Sequence, residues 1–83
     1  MYFVYILKSL KNGSYYKGFT NNISRRISEH NSGKTSSNKK LAPFKLIHVE
    51  ICQTREEARK LEKFFKTGYG REIIREIGAV VER

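Results

Sequence analysis

The sequence predicts an α+β fold, a small three-stranded antiparallel β-sheet flanked by helices, with the elements in the order ββαβαα. Two observations carry this prediction. Runs rich in aromatic and β-branched residues occur near the start and the middle of the chain, as in strands. The other segments repeat apolar residues at helical spacing and begin with residues that favour helix N-caps. The 83 residues suffice for one domain, 1–83, with one modest core.

The first two strands are predicted to form a hairpin. Tyr2–Leu7 is an unbroken apolar run, which is typical of a strand buried on both faces and therefore central in its sheet. Residues 11–13 (Lys-Asn-Gly) have turn chemistry, because Asn and Gly tolerate positive φ. Ser14–Phe19 returns as the second strand, where alternation places Tyr16 on the same face as Gly18.

A helix is predicted over Ile23–Ser32, with Gly33 as its C-terminal stop. Its inward face contains polar groups. Arg26, Ile27 and His30 share the stripe that should face the core, so a guanidinium and an imidazole point inward. Inward-facing charge in so small a chain suggests a functional site.

The middle of the chain is predicted as a loop followed by a third strand. Residues 33–41 are polar and basic, which favours a connector, although a phosphate-gripping loop remains possible for such a composition. Pro43 precedes the strand Phe44–Cys52. His48 is expected on the solvent face or the edge, because no partner lies at ligand spacing. Cys52 is expected to be a small buried hydrophobe; as the single cysteine it excludes an internal disulfide and fits a reducing compartment.

The last third of the chain is predicted to be helical. Thr54 and Glu57 have the spacing of a capping box that opens a long helix, which ends near residues 67–68. A short third helix is expected over Gly70–Gly78. Ala79–Arg83 is expected to be a tail.

Glu62 conflicts with the pattern of the long helix. It lies on or beside the apolar stripe of Ala58, Leu61 and Phe65. A carboxylate directed toward a core is costly unless it is paired or binds a metal. The residues alone leave three interpretations: a functional site, a structural ion pair with Arg26, or a position at the exposed edge of the stripe.

The charge of the chain favours a polyanionic partner. Seventeen Lys and Arg against 8 Asp and Glu give a formal net charge of +9, and nucleic acid is the first expectation. An anionic membrane is disfavoured because the helix Thr54–Lys66 also carries three acidic residues. There is no transmembrane run, and Met1–Leu10 lacks the basic start and cleavage site of a signal peptide. These features predict a cytoplasmic protein.

Several of these residues, taken in order, resemble the GIY-YIG nuclease family. Phe3–Tyr5 and Tyr16–Gly18 stand for the two halves of the family name, and the spacing from Tyr5 to Tyr16 matches. Arg26 follows on the next helix, His30 one turn later, and Glu62 on the long helix. The resemblance covers about Tyr2 to Gly70 and is strongest to small stand-alone bacterial members, which also resemble the N-terminal nuclease domain of the excinuclease C subunit.

The resemblance implies a metal-dependent endonuclease that hydrolyses DNA phosphodiester bonds. It implies one divalent metal, Mg²⁺ or Mn²⁺, held by Glu62, with Arg26 on the phosphate. The hydroxyls of Tyr5 and Tyr16 are candidates for the base, if nearby positive charge lowers a pKa that is ordinarily about 10. His30 would accept a tyrosine proton or bind phosphate. Gly18 would allow close approach of a helix or the substrate.

Around such a site we expect basic residues that contact phosphates without reading bases. The candidates are Lys8, Lys11, Lys17, Arg25, Lys34, Lys39 and Lys40. Specificity would then come from DNA structure (branched, nicked or single-stranded) or from a protein partner, as in DNA repair and recombination.

Two other functions remain open from the sequence. The first is a non-catalytic nucleic-acid-binding module with the same fold. Many active members carry a polar residue, often asparagine, after the glutamate helix, where this chain has Thr67, Tyr69 and Arg71. The second is a protein-interaction domain with incidental basic charge.

Overall fold

The computed structural model describes residues 1–32 and 40–81, and it confirms the predicted architecture. Its strands are β1 (Tyr2–Ser9), β2 (Tyr15–Thr20) and β3 (Phe44–Cys52). They form one antiparallel sheet in the order β2-β1-β3. Its helices are α1 (Ile23–Asn31), α2 (Arg55–Phe65) and α3 (Gly68–Val81). The observed order is therefore ββαβαα, as predicted.

Strand β1 is central and buried on both faces, as its apolar run predicts. Val4, Ile6 and Leu7 are fully buried, and β1 pairs with β2 on one side and β3 on the other. The turn after β1 uses Gly13 at φ 78°, a conformation that a side chain disfavours. The backbone N–H of Gly13 donates to the carbonyl of Ser9 at 2.9 Å and closes the turn.

Apolar side chains form one cluster on each side of the sheet. On the α2 and α3 side, the buried members are Val4, Ile6, Ile47, Cys52, Ala58, Phe65 and Ile74. On the α1 side, the buried members are Tyr5, Leu7 and Phe44, with Tyr16 and Ile27 packed against them. The alternation of β1 thus sends even-numbered residues to one cluster and odd-numbered residues to the other.

Side chains cap the first turns of α1 and α2 by accepting backbone hydrogen bonds. The side chain of Asn22 accepts a hydrogen bond from the backbone N–H of Arg25 at 3.1 Å at the start of α1. At the start of α2, the Thr54 hydroxyl accepts from the N–H of Glu57 at 3.2 Å. The Glu57 carboxylate reaches back to the N–H of Gln53 at 3.3 Å, one residue before the N-cap, so the capping box forms with this shift.

The predicted bounds of the third helix are wrong, because residues through Val81 are helical. Instead of a short helix followed by a tail, α3 begins at Gly68 and continues through Val81. Ile74 is 1% exposed against the sheet, and Gly78 is buried against the ring of Tyr15. This packing on β2 extends the helix beyond a glycine that local propensity alone would treat as a stop.

The predicted loop lies mostly in residues 33–39, outside the described residues. His48 lies half-buried on the edge strand β3, with its Nε2 2.8 Å from the Glu50 carboxylate. Cys52 is buried as predicted, and burial, with Glu57 and Glu50 nearby, raises the pKa of its thiol. Within residues 1–32 and 40–81, no helix combines the length and apolar character needed to cross a membrane.

Candidate active site

A pocket of about 330 Å³ opens along the edge strand β2. Five consecutive residues of β2, Tyr15–Phe19, line it, so side chains from both faces of the strand take part. Tyr5 of β1, Arg26 of α1, Glu62 of α2 and the α2 C-cap residue Lys66 complete the lining. The structure thus brings two tyrosines, the arginine and the glutamate together from four elements.

The edge of the sheet is what allows this convergence. Tyr5 and Tyr16 belong to the cluster on the α1 side, whereas Leu61, next to Glu62, packs into the cluster on the α2 side. Glu62 therefore starts from the opposite side of the sheet and meets the tyrosines only because β2 has no further strand outside it. A glutamate beside an apolar stripe is thereby explained: its carboxylate lies where the stripe reaches the edge.

Gly18 provides the space in which the Tyr5 ring lies. The two residues are direct partners in the β1–β2 ladder. A Cβ atom on Gly18 would collide with the Tyr5 hydroxyl. Close approach of a helix or the substrate was expected at this glycine, whereas the atoms that lie closest to it belong to the Tyr5 side chain.

The Tyr5 hydroxyl is held by two neighbours in a buried position. It lies 3.1 Å from Nε2 of His30, and Nε of Arg26 donates to it at 3.3 Å. Tyr5 itself is only 1% exposed. Burial raises the pKa of Tyr5 above its ordinary value, although the nearby Arg26 acts in the opposite direction. The effect of burial on the pKa of Tyr5 is therefore larger than the opposing effect of Arg26.

His30 supports the tyrosines from beneath the pocket. Its ring centroid is 4.7 Å from that of Tyr16 and 5.8 Å from that of Phe44, both in edge-on arrangements. The side chain is fully buried. Of the two roles expected for His30, an exchange of a proton or hydrogen bond with Tyr5 fits this position, whereas phosphate contact does not.

Arg26 and Glu62 each form an ion pair with a residue close by in the sequence. Arg26 lies 3.4 Å from Glu29, and Glu62 lies 3.2 Å from Lys66. Within the described residues Arg26 and Glu62 form no ion pair with each other, so the structural pair considered from the sequence is not formed. The hydrogen bond to Tyr5 raises the pKa of Arg26, which stays a permanent cation at the rim.

The carboxylate of Glu62 is the pocket's candidate metal ligand. Its side chain is 17% exposed, and one of its oxygens contacts a lysine ammonium, so the position already holds a positive charge. No group of three or more His, Cys, Asp or Glu that could hold a metal occurs within residues 1–32 and 40–81. A lone carboxylate fits Mg²⁺, which keeps most of its waters, and does not fit an ion that needs several protein ligands.

The predicted phosphate-contacting residues are spread over the surface. Lys17 lines the pocket. The Lys8 ammonium lies 5.8 Å above the ring of Tyr15. Exposed positions are held by Lys11, Arg25 and Lys40, whereas Lys34 and Lys39 lie outside the described residues.

The family model that describes the GIY-YIG catalytic domain matches residues 1–74, which is most of the chain. The chain belongs to the GIY-YIG family. It therefore has a nuclease-type fold, and the family consists in general of endonucleases that act on DNA.

Its relatives are small bacterial GIY-YIG proteins. The UPF0213 protein lwe0147 of Listeria welshimeri is 46% identical over 66 residues, which is 78% of this chain and 72% of that one. The UPF0213 protein YazA of Bacillus subtilis is 38% identical over 66 residues, 78% of this chain and 66% of that one. A solution NMR structure of the UPF0213 protein BH0048 from Bacillus halodurans is similar at a TM-score of 0.55 and 33% identity, covering 93% of this chain and 85% of that one.

The site predicted from the sequence did not include Tyr15, Phe19 and Lys66 of this GIY-YIG pocket, or Glu29 beside it. Lys66, which pairs with Glu62, could have been predicted from the i, i+4 spacing of these opposite charges. Glu29, which pairs with Arg26, has the corresponding i, i+3 spacing. Tyr15 gave no signal, because only the sheet edge brings a residue of opposite orientation into the same pocket as Tyr16.

Proposed function

We propose that the chain is a divalent-metal-dependent endonuclease that hydrolyses phosphodiester bonds in DNA. The observation that carries this proposal is the meeting of Tyr5, Tyr16, Arg26 and Glu62 in one pocket along β2. Hydrolysis needs an oriented water, neutralisation of charge on the phosphate and help for the departing oxygen. The pocket offers a group for each of these requirements.

Arg26 binds a non-bridging oxygen of the scissile phosphate. Its guanidinium has several donors, and only part of them are used by Tyr5 and Glu29. The side chain is 38% exposed, so it can turn a free edge toward the pocket. A planar guanidinium suits the geometry of phosphate better than an ammonium does.

Tyr5 and Tyr16 have different roles in this proposal. Tyr5 accepts the N–H of Arg26 and has one proton to share with His30, so it positions the arginine from a buried place. Tyr16 is only half-buried and lies in the same pocket, with its ring stacked 6.4 Å from that of Tyr5. We assign to Tyr16 the orientation of the attacking water: its hydroxyl oxygen takes up the water's proton as the hydroxyl passes its own proton on to solvent.

Glu62 would hold the metal at the α2 side of the pocket. A divalent cation bound there would neutralise charge on the phosphate and stabilise the leaving oxygen. Lys66 now occupies the rim beside the carboxylate and is 53% exposed, so it can move to the phosphate when the carboxylate takes a metal. The basic surface residues would then follow the DNA backbone, and branched, nicked or partner-bound DNA in repair or recombination would be the substrate.

A second function, a binding module without catalysis, is favoured by one observation after α2. The hydroxyl of Thr67 donates to the carbonyl of Phe64 at 2.6 Å and accepts from the N–H of Gly70 at 3.1 Å. It is thereby committed to the junction of α2 and α3. Tyr69, the next polar candidate, is 67% exposed and stacks edge-on with Phe64.

The substitution Glu62→Gln separates the two functions. It removes the carboxylate charge and keeps the volume, so for an enzyme we expect cleavage of nicked or branched DNA with Mg²⁺ or Mn²⁺ to fall on the order of 100-fold or more. DNA affinity should stay similar or increase, because a negative charge near phosphate is lost. Glu56→Gln, an exposed change on the same helix, is the control and should leave cleavage unchanged.

Two results would contradict the catalytic proposal. One is wild-type protein that binds these DNA forms but cleaves none of them with either metal, which would favour the binding module. The other is a Glu62→Gln protein that cleaves at the wild-type rate.

A further inference from the structure

A second pocket, of about 230 Å³, adjoins the first between β2 and α3. It is lined by Tyr15, Lys17, Arg71, Ile74 and Arg75. Three of these five residues are cations, and none is acidic. Tyr15 and Lys17 also line the first pocket, so the two cavities share a wall.

The positive charges of this pocket are not balanced by acidic side chains in its lining. Within residues 1–32 and 40–81, none of Lys17, Arg71 and Arg75 forms an ion pair. Arg71 and Arg75 stand at i, i+4 on α3, where like charges repel. Burial lowers the pKa of Lys17, and the charges of Arg71 and Lys66 lower it further. Holding these cations together costs stability in the free protein, and a bound anion would offset that cost.

The wall of the second pocket is fixed by packing. The Tyr15 ring lies against Gly78 of α3, where a Cβ atom would collide with its hydroxyl. Ile74 is 1% exposed and anchors α3 on the sheet between the two arginines. The cations therefore project from two elements that are held at a set separation, unlike lysines scattered on a surface.

We propose that this second pocket binds a phosphate group of the nucleic-acid strand, next to the phosphate held in the first pocket. Arg71 and Arg75 would supply guanidinium donors to its oxygens, and Lys17 would lie between the two phosphates. This inference rests on the proposed function of the first pocket. It sets where the strand runs: along β2 and toward α3.

The test compares an Arg71→Gln/Arg75→Gln double variant with wild type. Arg59→Gln/Lys60→Gln is the control, because it removes the same charge from exposed positions of α2 that line neither pocket. DNA binding is measured in EDTA, so that cleavage does not interfere. In the first set of DNA substrates, one uncharged methylphosphonate linkage is moved stepwise along the strand. In the second set, the strand begins at each of these positions with either a 5′-phosphate or a 5′-hydroxyl.

We expect one neutral linkage beside the cleaved position to weaken wild-type binding by about tenfold. The Arg71→Gln/Arg75→Gln variant should already bind more weakly by a similar factor and should show no further loss at that linkage. The control variant should lose affinity equally at every position. If the occupant is a terminal phosphate, the same coupling will appear for the 5′-phosphate against the 5′-hydroxyl and not for internal linkages.

Two outcomes would overturn the inference. The first is a neutral-linkage profile that is the same in the double variant and in wild type. The second is a loss of affinity in the control as large and as position-dependent as in the double variant.

A separate titration keeps the inference testable if the protein binds no DNA and the proposed function fails. Inorganic phosphate should shift the NMR signals of the Arg71 and Arg75 guanidinium groups, and no shift at millimolar phosphate would contradict an anion site. The double variant should melt at the wild-type temperature or higher, because it removes the repulsion between the two arginines. Such a melting temperature would exclude misfolding as the cause of weaker binding.

Discussion

The two sides of the sheet differ in the kind of side chain they bury. The side covered by α2 and α3 buries aliphatic and aromatic carbon, with Ile6, Phe65 and Ile74 at its centre. The two buried polar side chains among the described residues, Ser9 and His30, lie instead with the cluster covered by α1. One side therefore resembles an ordinary core, whereas the other contains hydrogen bonds within its packing.

This difference shows how a small domain can hold a polar site without losing its core. Burying polar groups is costly unless each finds a partner. Here Ser9 donates to the carbonyl of Leu41 at 2.6 Å, and His30 bonds to Tyr5. Within the described residues no buried side-chain nitrogen or oxygen lacks a partner. Packing on the apolar side stabilises the fold, and this stability offsets the cost of burying the polar groups that hold the tyrosines and Arg26 in place on the α1 side.

The largest effect should come from the apolar side. Ile74→Ala removes a side chain that is 1% exposed, and we expect the free energy of unfolding to fall by about 2–5 kcal/mol. Val80→Ala, at a position 65% exposed on the same helix, should change it by less than about 0.5 kcal/mol. Urea unfolding followed by circular dichroism measures both, and equal losses in the two variants would contradict the assignment of α3 to the core.

An intermediate loss of stability is expected at Gly18, the partner of Tyr5 in the β1–β2 ladder. In Gly18→Ala the new Cβ would collide with the Tyr5 hydroxyl, so the ring must move and strain β2. We expect a loss of about 1–3 kcal/mol in stability. Cleavage should fall further than this loss of folded protein explains, because Arg26 loses its support.

Gly68→Ala is the matched control for that substitution. Apart from its chain neighbours and the backbone of its own helix, no atom of residues 1–32 and 40–81 lies within 4 Å of the position its Cβ would take, so stability and cleavage should stay at wild-type levels. A Gly18→Ala protein that is as stable and active as the Gly68→Ala protein would show that the Tyr5 position is not set by Gly18.

The sequence predicted what local chemistry decides and missed what packing decides. The apolar run of β1 favours a central strand, and the spacing of Thr54 and Glu57 favours a helix start, so both could be predicted from a few neighbouring residues. The extension of α3 to Val81 depends on Gly78 meeting Tyr15, a contact between residues 63 positions apart in the chain. No periodicity within one segment contains that information.

The candidate site divides in the same way. The resemblance to the GIY-YIG family indicated Tyr5, Tyr16, Arg26 and Glu62, and the structure brings them into one pocket. The second pocket was not predicted, because Arg71 and Arg75 appear in the sequence as ordinary charges on a solvated helix face. Only the placement of α3 beside β2 turns them toward Lys17.

The smallest change in stability is expected when a buried tyrosine hydroxyl is removed, and an exposed tyrosine provides the comparison. Tyr5→Phe leaves His30 and Arg26 without their shared hydroxyl, so at pH 7 we expect a loss of about 1 kcal/mol in the free energy of unfolding. Tyr69→Phe, at a position 67% exposed, should cost nothing measurable.

Measurements at alkaline pH test whether burial raises the pKa of Tyr5. Burial raises the pKa of Tyr5 in the folded protein, whereas the unfolded chain releases the same proton near its ordinary value of about 10. The stability contributed by the neutral hydroxyl is therefore complete below pH 10 and is lost as pH rises through the raised value. The loss approaches about 1.4 kcal/mol per pH unit in that window. Tyr5→Phe lacks this proton, so its unfolding free energy from pH 8 to 11 should decline less steeply than that of wild type or Tyr69→Phe. Parallel declines in all three proteins would mean that Tyr5 ionises as readily in the folded state as in the unfolded one, and Tyr5 would then compete with Tyr16 for the role of base.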